Sequence, residues 1–577
     1  MRPAPALSRT AILLVSALLA ALLPACSGSD GGGTDGFFEP EVRRSENGVL
    51  ETRLRAALSR VEVAGIEGER YVYEGQYPGP TLWVRPGDRL LVDLQNDIAL
   101  PTDLHFHGFH VSPQGLSDDV FLEVVPGETV RLDVKLPENH PAGLYWYHPH
   151  YHPDVASEVY QGMSGAIVVE GPLDELPGVK DLPQRLFVLK EIGVSADGKH
   201  LLDYAEWEFP GSIFTVNGKL DPTLEVRPGE TQRWRFLNAS TAFTYVIQLD
   251  GHVLNQIAAD GNTFREVSPE DSIEIPPGSR FEAIVQVGDE GTYSLRTLAY
   301  SQGFIETPDT VLASVVAKGE RVETAPLPTT LLPFVDLRDL PVDRSRTLTF
   351  SIQENPFQFQ IDGKPFDPDR IDQLVELGAV EEWTIRNVSD EMHPFHIHVN
   401  PFQVVSINGR DIDAKSYRDT VGIPPNGEFV FRTQFLDFTG KYVYHCHILP
   451  HEDNSMMGVV AVTRDGAVPP AGDYGRGLEV FDRAGCGSCH SLSTAGSKGT
   501  IGPDLDEHVA IMGVEGIANV IRYGRREMPA FRDSLTEQEI RDVAALVRLT
   551  SYGHEVCVPS PDGPDLGGAH HCRGPLP

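Results

Sequence analysis

Leu82-Trp83-Val84-Arg85-Pro86-Gly87-Asp88 returns later in the chain as Leu224-Glu225-Val226-Arg227-Pro228-Gly229-Glu230, and more weakly as Leu374-Val375-Glu376-Leu377-Gly378. A second turn interleaves with the first: Val125-Pro126-Gly127-Glu128, Pro276-Pro277-Gly278-Ser279 and Pro425-Asn426-Gly427-Glu428. Both series have a period of about 150 residues. Each turn runs into an alternating segment, such as Arg89-Leu90-Leu91-Val92-Asp93-Leu94 or Gln232-Arg233-Trp234-Arg235-Phe236-Leu237, which reads as a strand. Two turn-strand units per period, three periods and no long helical pattern predict three β-sandwich or β-barrel domains, at residues 50–172, 173–322 and 323–466. With 41 % hydrophobic residues the chain can fill such cores.

The texture changes after residue 466. Ala467-Val468-Pro469-Pro470-Ala471-Gly472 is a short, stiff linker. Beyond it Thr536-Glu537-Gln538-Glu539 is a capping box, with Leu535 and Ile540 spaced as a hydrophobic staple. Ile540, Val543, Ala544 and Val547 then share one helical face. Residues 473–553 are expected to be a small all-α domain, followed by a tail over 554–577 with no argued role.

At the other end, Arg2 and Arg9 precede the apolar run Ala11 to Leu23, which reads as a signal peptide over residues 1–25 and is short for a spanning helix. Leu23-Pro24-Ala25-Cys26 resembles a bacterial lipoprotein processing box, although Pro24 departs from the usual small or aliphatic residue. The resemblance implies a lipidated Cys26 and a peripheral membrane attachment. Residues 27–49, rich in Gly, Ser and Asp at their start, are expected to be a flexible linker. The expected location is therefore outside the cytoplasm, in the periplasm or cell envelope. Lys+Arg 47 against Asp+Glu 83 leaves a net charge of −36, which argues against a nucleic-acid partner.

Histidines cluster tightly in the first and third periods: His105-Phe106-His107, His148-Pro149-His150, His393-Pro394-Phe395-His396-Ile397-His398 and His445-Cys446-His447-Ile448-Leu449-Pro450-His451. The middle period has only His200 and His252. Residues two apart on a strand face the same side. The pairs His105/His107, His148/His150, His396/His398 and His445/His447 can thus converge as eight imidazoles on one nitrogen-rich site suited to copper. Cys446 has the opposite parity and can join His393, His451 and Met456. Two imidazoles, a thiolate and a weak thioether make a blue-copper electron-transfer site.

These four segments resemble the copper-binding motifs of the multicopper oxidases, the laccase-like family, over roughly residues 50–466. The resemblance implies three cupredoxin-like β-sandwich domains and four copper ions. By motif match, His393, Cys446, His451 and Met456 would hold the type 1 copper, and His105 and His396 the type 2 copper. His107, His148, His150, His398, His445 and His447 would hold the type 3 pair. It further implies that single electrons are taken at type 1 and O2 is reduced to water at the trinuclear cluster. Asp118 and Glu452 stand where the family places acidic residues near that cluster, as candidate proton relays, although each is also one of 83 carboxylates. His110, His140 and His152 do not fit the ligand spacing and read as satisfied surface residues or as residues backing the ligands.

Cys486-Gly487-Ser488-Cys489-His490 is the attachment signature of a c-type haem, with both thiols on the haem vinyls and the His on iron. With Gly502-Pro503-Asp504-Leu505 and Met528-Pro529-Ala530-Phe531, residues 473–553 resemble a class I cytochrome c. The resemblance implies one covalent haem c with Met528 as second axial ligand; Met512 is the competitor. Cys557 and Cys572 remain for a disulfide or as two free thiols.

The whole reads as an oxidoreductase with O2 as acceptor and an unidentified reductant: a redox protein, a phenol or a metal ion. The short linker is expected to keep the haem close to the type 1 copper of the third domain. Three alternatives stay open: direct oxidation of phenols or metal ions at type 1, a copper nitrite reductase-like fusion, and a copper or electron-relay protein without turnover. Seven methionines without a Met-rich segment weaken a cuprous-ion oxidase, and three repeats weaken the nitrite reductase reading.

Overall fold

A computed structural model describes residues 36–207, 209–468, 471–506 and 513–551. The signal peptide, Cys26, Met512, Cys557, Cys572 and the 554–577 tail lie outside the described residues. Each of the turns read from the sequence opens a strand. Gly87, Gly229 and Gly378 have positive φ and precede the strands Arg89–Asp97, Thr231–Asn238 and Val380–Asn387. Gly127 and Gly278 do the same for Thr129–Lys135 and Arg280–Gln286. In the third copy of that turn the left-handed residue is Asn426, with φ 50°, rather than the glycine after it. Asn tolerates this region better than most side chains.

The result is three two-sheet sandwiches. Domain 2 pairs a six-stranded sheet (Ser212–Val216, Gln184–Gly193, Thr231–Asn238, Arg280–Gln286, Leu254–Ala259, Asn262–Glu270) with a five-stranded one (Thr223–Val226, Thr310–Ala317, Gly291–Thr297, Tyr245–Leu249, Ile273–Ile275). Domain 3 repeats this order strand for strand. Domain 1 keeps only four strands in the first sheet (Ile66–Tyr73, Val49–Val63, Arg89–Asp97, Thr129–Lys135). Where domains 2 and 3 have an extra hairpin, domain 1 runs as a long loop from Gly108 to Glu128. Between the sheets of each domain the inward-facing strand positions close a core, with Tyr145 and Tyr147 buried in domain 1, Trp234 in domain 2 and Trp383 in domain 3.

The span 27–49, expected to be a flexible linker, is ordered from Gly36 onward. Val42–Arg44 is a strand that pairs in parallel with Thr81, Leu82 and Trp83 and extends the second sheet of domain 1. Its alternating residues were too few to read as a strand.

Among the described residues, three helices form the C-terminal domain, α3 Tyr474–Arg483, α4 Val514–Tyr523 and α5 Glu537–Ser551, and two shorter helices precede them, α1 Val155–Gln161 and α2 Leu449–Asp453. The capping box is present: the Glu539 amide donates to Thr536 Oγ1 at 3.3 Å and the Thr536 amide to Glu539 Oε2 at 2.8 Å. Leu535, Ile540, Val543, Ala544 and Val547 are all buried in one cluster with Val480, Phe481 and Ile517. Among the described residues no helix is long and apolar enough to cross a membrane.

Candidate metal centre

Strand pairing assembles the histidines. His105–His107 runs antiparallel to Gly143–His148, with His105 opposite His148. His393–Ile397 runs antiparallel to Gly440–Cys446, with His396 opposite His445 and Phe395 opposite Cys446. The facing domains then bring the two pairs of strands together. Three triads form in which the donor atoms lie within 4.8 Å of one another: His105, His107 and His396; His107, His148 and His447; His150, His398 and His445. The eight imidazoles are thus one buried assembly between domains 1 and 3, with the His105 and His398 rings stacked at 3.9 Å and those of His107 and His396 also at 3.9 Å.

Parity places Cys446 on the other side. Its Sγ lies 3.6 Å from His393 Nδ1 and 3.7 Å from His451 Nδ1, and those two nitrogens are 3.2 Å apart. His393 Nε2 is bonded to Ser389 Oγ at 2.8 Å, which turns Nδ1 inward. Phe359 stacks on His451 at 3.9 Å, and Glu391 stands 3.9 Å from its outer nitrogen. Met456 is fully buried, and its backbone carbonyl accepts from the Cys446 amide at 3.0 Å. The helix that carries His451 and Glu452 is α2.

The donor chemistry fits metal ions. Burial, then neighbouring rings, holds His107, His148, His150, His396 and His398 far below the ordinary imidazole range. Burial lowers His393 and His447 to about 3. These rings are neutral, the form that binds a cation. His105 Nε2, His148 Nε2, His396 Nε2 and His447 Nδ1 are buried without a hydrogen-bond partner. Such orphaned atoms are costly unless something occupies the space they face. Their opposite nitrogens are anchored: His105 on Asp118 Oδ1 (2.9 Å), His148 on the Pro149 carbonyl (2.8 Å) and His396 on the Asp419 carbonyl (2.9 Å). This backing is what orients metal-binding imidazoles. Burial pushes the Cys446 thiol well up, so a cation is needed to hold it as thiolate.

Asp118 and Glu452 both reach the assembly. Asp118 also accepts the Phe106 amide at 2.9 Å. Glu452 Oε2 lies 2.9 Å from His445 Nδ1, and Oε1 lies 3.3 Å from His150 and 3.4 Å from His152. Burial raises Glu452, but His445, His152 and His447 outweigh it and the net shift is downward. His152, outside the ligand spacing, therefore backs this carboxylate. His110 and His140 are structural: His110 bonds the Val399 carbonyl (2.8 Å) and Asp437 (2.9 Å), and His140 the Pro141 carbonyl (2.9 Å).

Other residues at the site left no mark in the sequence. The middle domain, without ligands of its own, sends in Arg280, whose guanidinium clasps Asp419 at 2.8 and 2.7 Å. Asp419 Oδ1 is 3.4 Å from His107 Nε2. Gly278, in the turn before Arg280, lies so close to His447 that a Cβ there would come within 2.7 Å of the ring. Asp103 accepts the His150 amide. The only signal available was that Arg280 follows the repeated Pro-Gly turn; its partner is 139 residues away.

In the C-terminal domain, His490 Nδ1 is bonded to the Pro503 carbonyl at 3.0 Å, which leaves Nε2 free for iron. Cys486 and Cys489 are free thiols. A Cβ on Gly502 would strike the His490 ring, so the glycine keeps its face open. Met528 packs against the domain core. These residues fit a covalent haem.

Residues 57–174, 195–320 and 339–466 match the multicopper oxidase family, and residues 472–547 match cbb3-type cytochrome c oxidase subunit III. The multicopper oxidase mco of Staphylococcus aureus is 29 % identical over 439 residues, 74 % of this chain and 91 % of that one. The bilirubin oxidase of Albifimbria verrucaria is 28 % identical over 445 residues, 71 % of this chain and 74 % of that one. A solved multicopper oxidase from Campylobacter jejuni superposes with a TM-score of 0.66 at 26 % identity, covering 75 % of this chain and 96 % of that one. Fold, donor clusters and relatives together define a copper-dependent oxidoreductase with O2 as acceptor. More particularly, the chain is a three-domain multicopper-oxidase core fused to a distinct C-terminal domain.

Proposed function

We propose that this chain couples the one-electron oxidation of a reductant, through a haem c in its C-terminal domain, to the four-electron reduction of O2 to water. The observation that carries this is the pairing of a Cys446 triad with an eight-imidazole assembly one residue away on the same strand, in a chain that also holds Cys486, Cys489 and His490. His393, Cys446, His451 and Met456 would hold type 1 copper, His105 and His396 type 2, and the other six histidines the type 3 pair. Cys486, Cys489, His490 and Met528 would hold the haem, making the last domain a class I cytochrome c. When bound, the coppers collect single electrons and reduce O2, and a His/Met haem supplies electrons at a raised potential.

The chain's own side chains do the rest. Oxygen reduction consumes protons, and Glu452 is placed to pass them between His152 and the rings of His150 and His445. Asp118 holds the His105 ring from behind and keeps one buried carboxylate oxygen without a partner, able to take a proton or a water. Exclusion of bulk water by the surrounding β core keeps His107, His148, His150, His396, His398 and His447 neutral. Lipidation at Cys26 and residence in the periplasm or cell envelope complete the reading.

A second reading, oxidation of a small reductant directly at the type 1 site, draws on Glu391 beside the outer nitrogen of His451. A single-turnover experiment decides between them. Chain loaded with copper and haem, reduced without oxygen, is mixed with O2 while haem and blue-copper bands are followed. Haem oxidation that keeps pace with the copper supports the haem-linked reading. Haem that stays reduced while the copper cycles leaves the second one. Steady-state O2 consumption distinguishes either from a relay protein.

A further inference from the structure

The C-terminal domain rests on domains 1 and 3 together. Arg525 Nη1 donates to Glu123 Oε2 at 3.0 Å and its Nε to Glu128 Oε2 at 2.8 Å. Asn519 of α4 adds a buried hydrogen bond to Asp119 at 2.9 Å. On domain 3, Asp369 accepts from the Val514 amide at 2.6 Å and from Arg548 at 2.8 Å. Beside these contacts the three domains enclose a cavity of about 580 Å³. Ser112, Ser117 and Lys135 line it from domain 1, Phe438 from domain 3, and Tyr523 and Arg532 from the C-terminal domain.

Each wall is fixed by contacts of its own. The Gln114 side chain donates to the Thr439 carbonyl and ties the domain 1 loop to the segment of Phe438. Phe438 packs edge-on against His110 at 5.0 Å. Tyr523 lies so close to Gly115 that a Cβ there would come within 2.2 Å of its hydroxyl. The Arg532 amide donates to the Arg522 carbonyl at 3.2 Å, which sets its guanidinium 5.8 Å from the Tyr523 ring. The chain carries a net charge of −36, yet this cavity gathers cations. Among the described residues Lys135 forms no ion pair, and Arg532 forms a loose one, to its neighbour Asp533 at 3.9 Å. The lining's one carboxylate, Asp133, is already held by Arg89 Nε at 2.6 Å. The cavity is separate from the metal centre. Phe438 precedes the strand Gly440–Cys446, whose far end lies about 20 Å along at the rise of an extended chain. Asp118 follows Ser117 but turns its carboxylate inward to His105.

We infer that this cavity is a binding site for a small aromatic carboxylate. The ligand's carboxylate would pair with Lys135 and with the planar fork of Arg532, which suits two oxygens. Its ring would lie against Tyr523 and Phe438, where aromatic pairs add to the buried area. Ser112 and Ser117 supply hydroxyls at the edge. The volume falls in the range of small-molecule sites, about 300–1,000 Å³. An inorganic anion would use the cations and leave both rings wet, and a neutral ring would leave the cations without a partner. An occupant touches all three domains, so it binds the docked arrangement and holds the C-terminal domain there by mass action. No bond is made or broken. Tyr523 precedes Gly524, where a Cβ would come within 2.5 Å of the Met528 carbonyl, so occupancy is also felt in the Met528 loop.

The test uses the full chain loaded with copper and haem, with naphthoate as the probe and calorimetry of binding as the readout. Naphthoate is expected to bind saturably at a single site, and more tightly than sulfate, which lacks the ring, or naphthamide, which lacks the charge. Lys135→Met and Arg532→Met keep the stems and remove the charges. Each is expected to weaken binding about tenfold, as loss of one charge-assisted hydrogen bond does. Lys135→Arg keeps the charge and is expected to retain binding, which tells lost recognition from a disturbed fold. With naphthoate bound, hydrogen exchange over residues 112–117 and 523–532 is expected to slow. The site is overturned if naphthoate does not saturate, if both Met variants bind it as wild type does, or if sulfate or naphthamide binds as tightly. Slowed exchange on one side of the seam alone overturns the holding of the C-terminal domain.

Discussion

Domains 2 and 3 are wired identically and differ in chemistry. In domain 3, His393 lies opposite Ile423 and Phe395 opposite Cys446. In domain 2, Tyr245 lies opposite Ile275 and Ile247 opposite Thr297. These registers set Tyr245 in the place of His393, Gln248 in that of His396, Arg296 in that of His445 and Thr297 in that of Cys446. The core is held constant meanwhile. Trp234 and Trp383 occupy matching strand positions, and each indole donates to the side chain two residues earlier, Gln232 at 2.9 Å and Glu381 at 2.8 Å. The scaffold depends on the tryptophan and the turns, so the donor positions are free to carry metal ligands or not. Domain 2 has exchanged donors for support: its Arg280 and Gly278 press on the site that the other two domains build.

The comparison is broken most strongly by giving domain 3 the donors of domain 2. Cys446→Ser puts a hydroxyl where Thr297 has one. The soft ligand is lost, and the chain is expected to lose its blue absorbance and almost all O2 consumption with a reductant that acts at type 1. Optical spectra and an oxygen electrode check both. His396→Gln copies Gln248. Copper analysis is expected to show about one ion fewer per chain, and electron paramagnetic resonance should show the loss of the type 2 signal with the blue site retained.

Asp419→Ala tests the support from domain 2. It removes the hydrogen-bonded carboxylate of a fully buried guanidinium and leaves it only Asp260 at 3.7 Å, so the cost is expected to be up to about 3–5 kcal/mol. Denaturant unfolding of the copper-free chain reads this, and turnover is expected to fall about 10–100-fold as the backing of His107 goes.

Acid should act on the ligand domains in a way that Gln248 and Thr297 cannot reproduce. Burial lowers His393 and His447 to about 3, against about 6.5 for an unfolded imidazole. Between those values the unfolded chain binds protons that the folded chain refuses, so stability falls as pH falls. It is fully present above the unfolded value and is lost progressively toward the folded one. Asp103, Asp119, Glu158, Asp419 and Asp453, raised by burial, pull the other way, but the lowered buried imidazoles, His107, His140, His148, His150, His152, His393, His396, His398, His447 and His451, outnumber them. Unfolding of copper-free protein at neutral and mildly acid pH is expected to show this slope, and His393→Gln to reduce it.

The smallest effect belongs to the C-terminal domain. Thr536→Ala removes the cap of α5 and is expected to cost that domain about 1 kcal/mol. Calorimetry should show its transition shifted, with the β domains unmoved.

Much of the site was legible because strand parity is local. His445 and Cys446 adjoin in sequence, so their division between two sites follows from the pleat alone. The capping box Thr536 to Glu539 and the turns at Gly87, Gly229 and Gly278 are legible for the same reason: each is a few residues whose backbone geometry has one cheap solution. Arg280, Asp419 and Asp103 were invisible, since a buried charge looks like any other in a chain with 83 carboxylates. His152, read from its spacing as a surface or backing residue, backs the site through Glu452 at 3.4 Å.

The docking of the C-terminal domain shows the same limit. A short linker ties it to domain 3, and proximity along the chain suggests proximity to Cys446. The observed partners are the Glu123–Glu128 turn and Asp119 of domain 1, together with Asp369 of domain 3. Periodicity, turn chemistry and ligand spacing were determined by the sequence itself, because each acts through bonds or through one strand. Which domains face each other, which carboxylate meets which imidazole, and where the last domain rests were decided only by the tertiary structure, because those contacts depend on complementary surfaces that exist once every domain has folded.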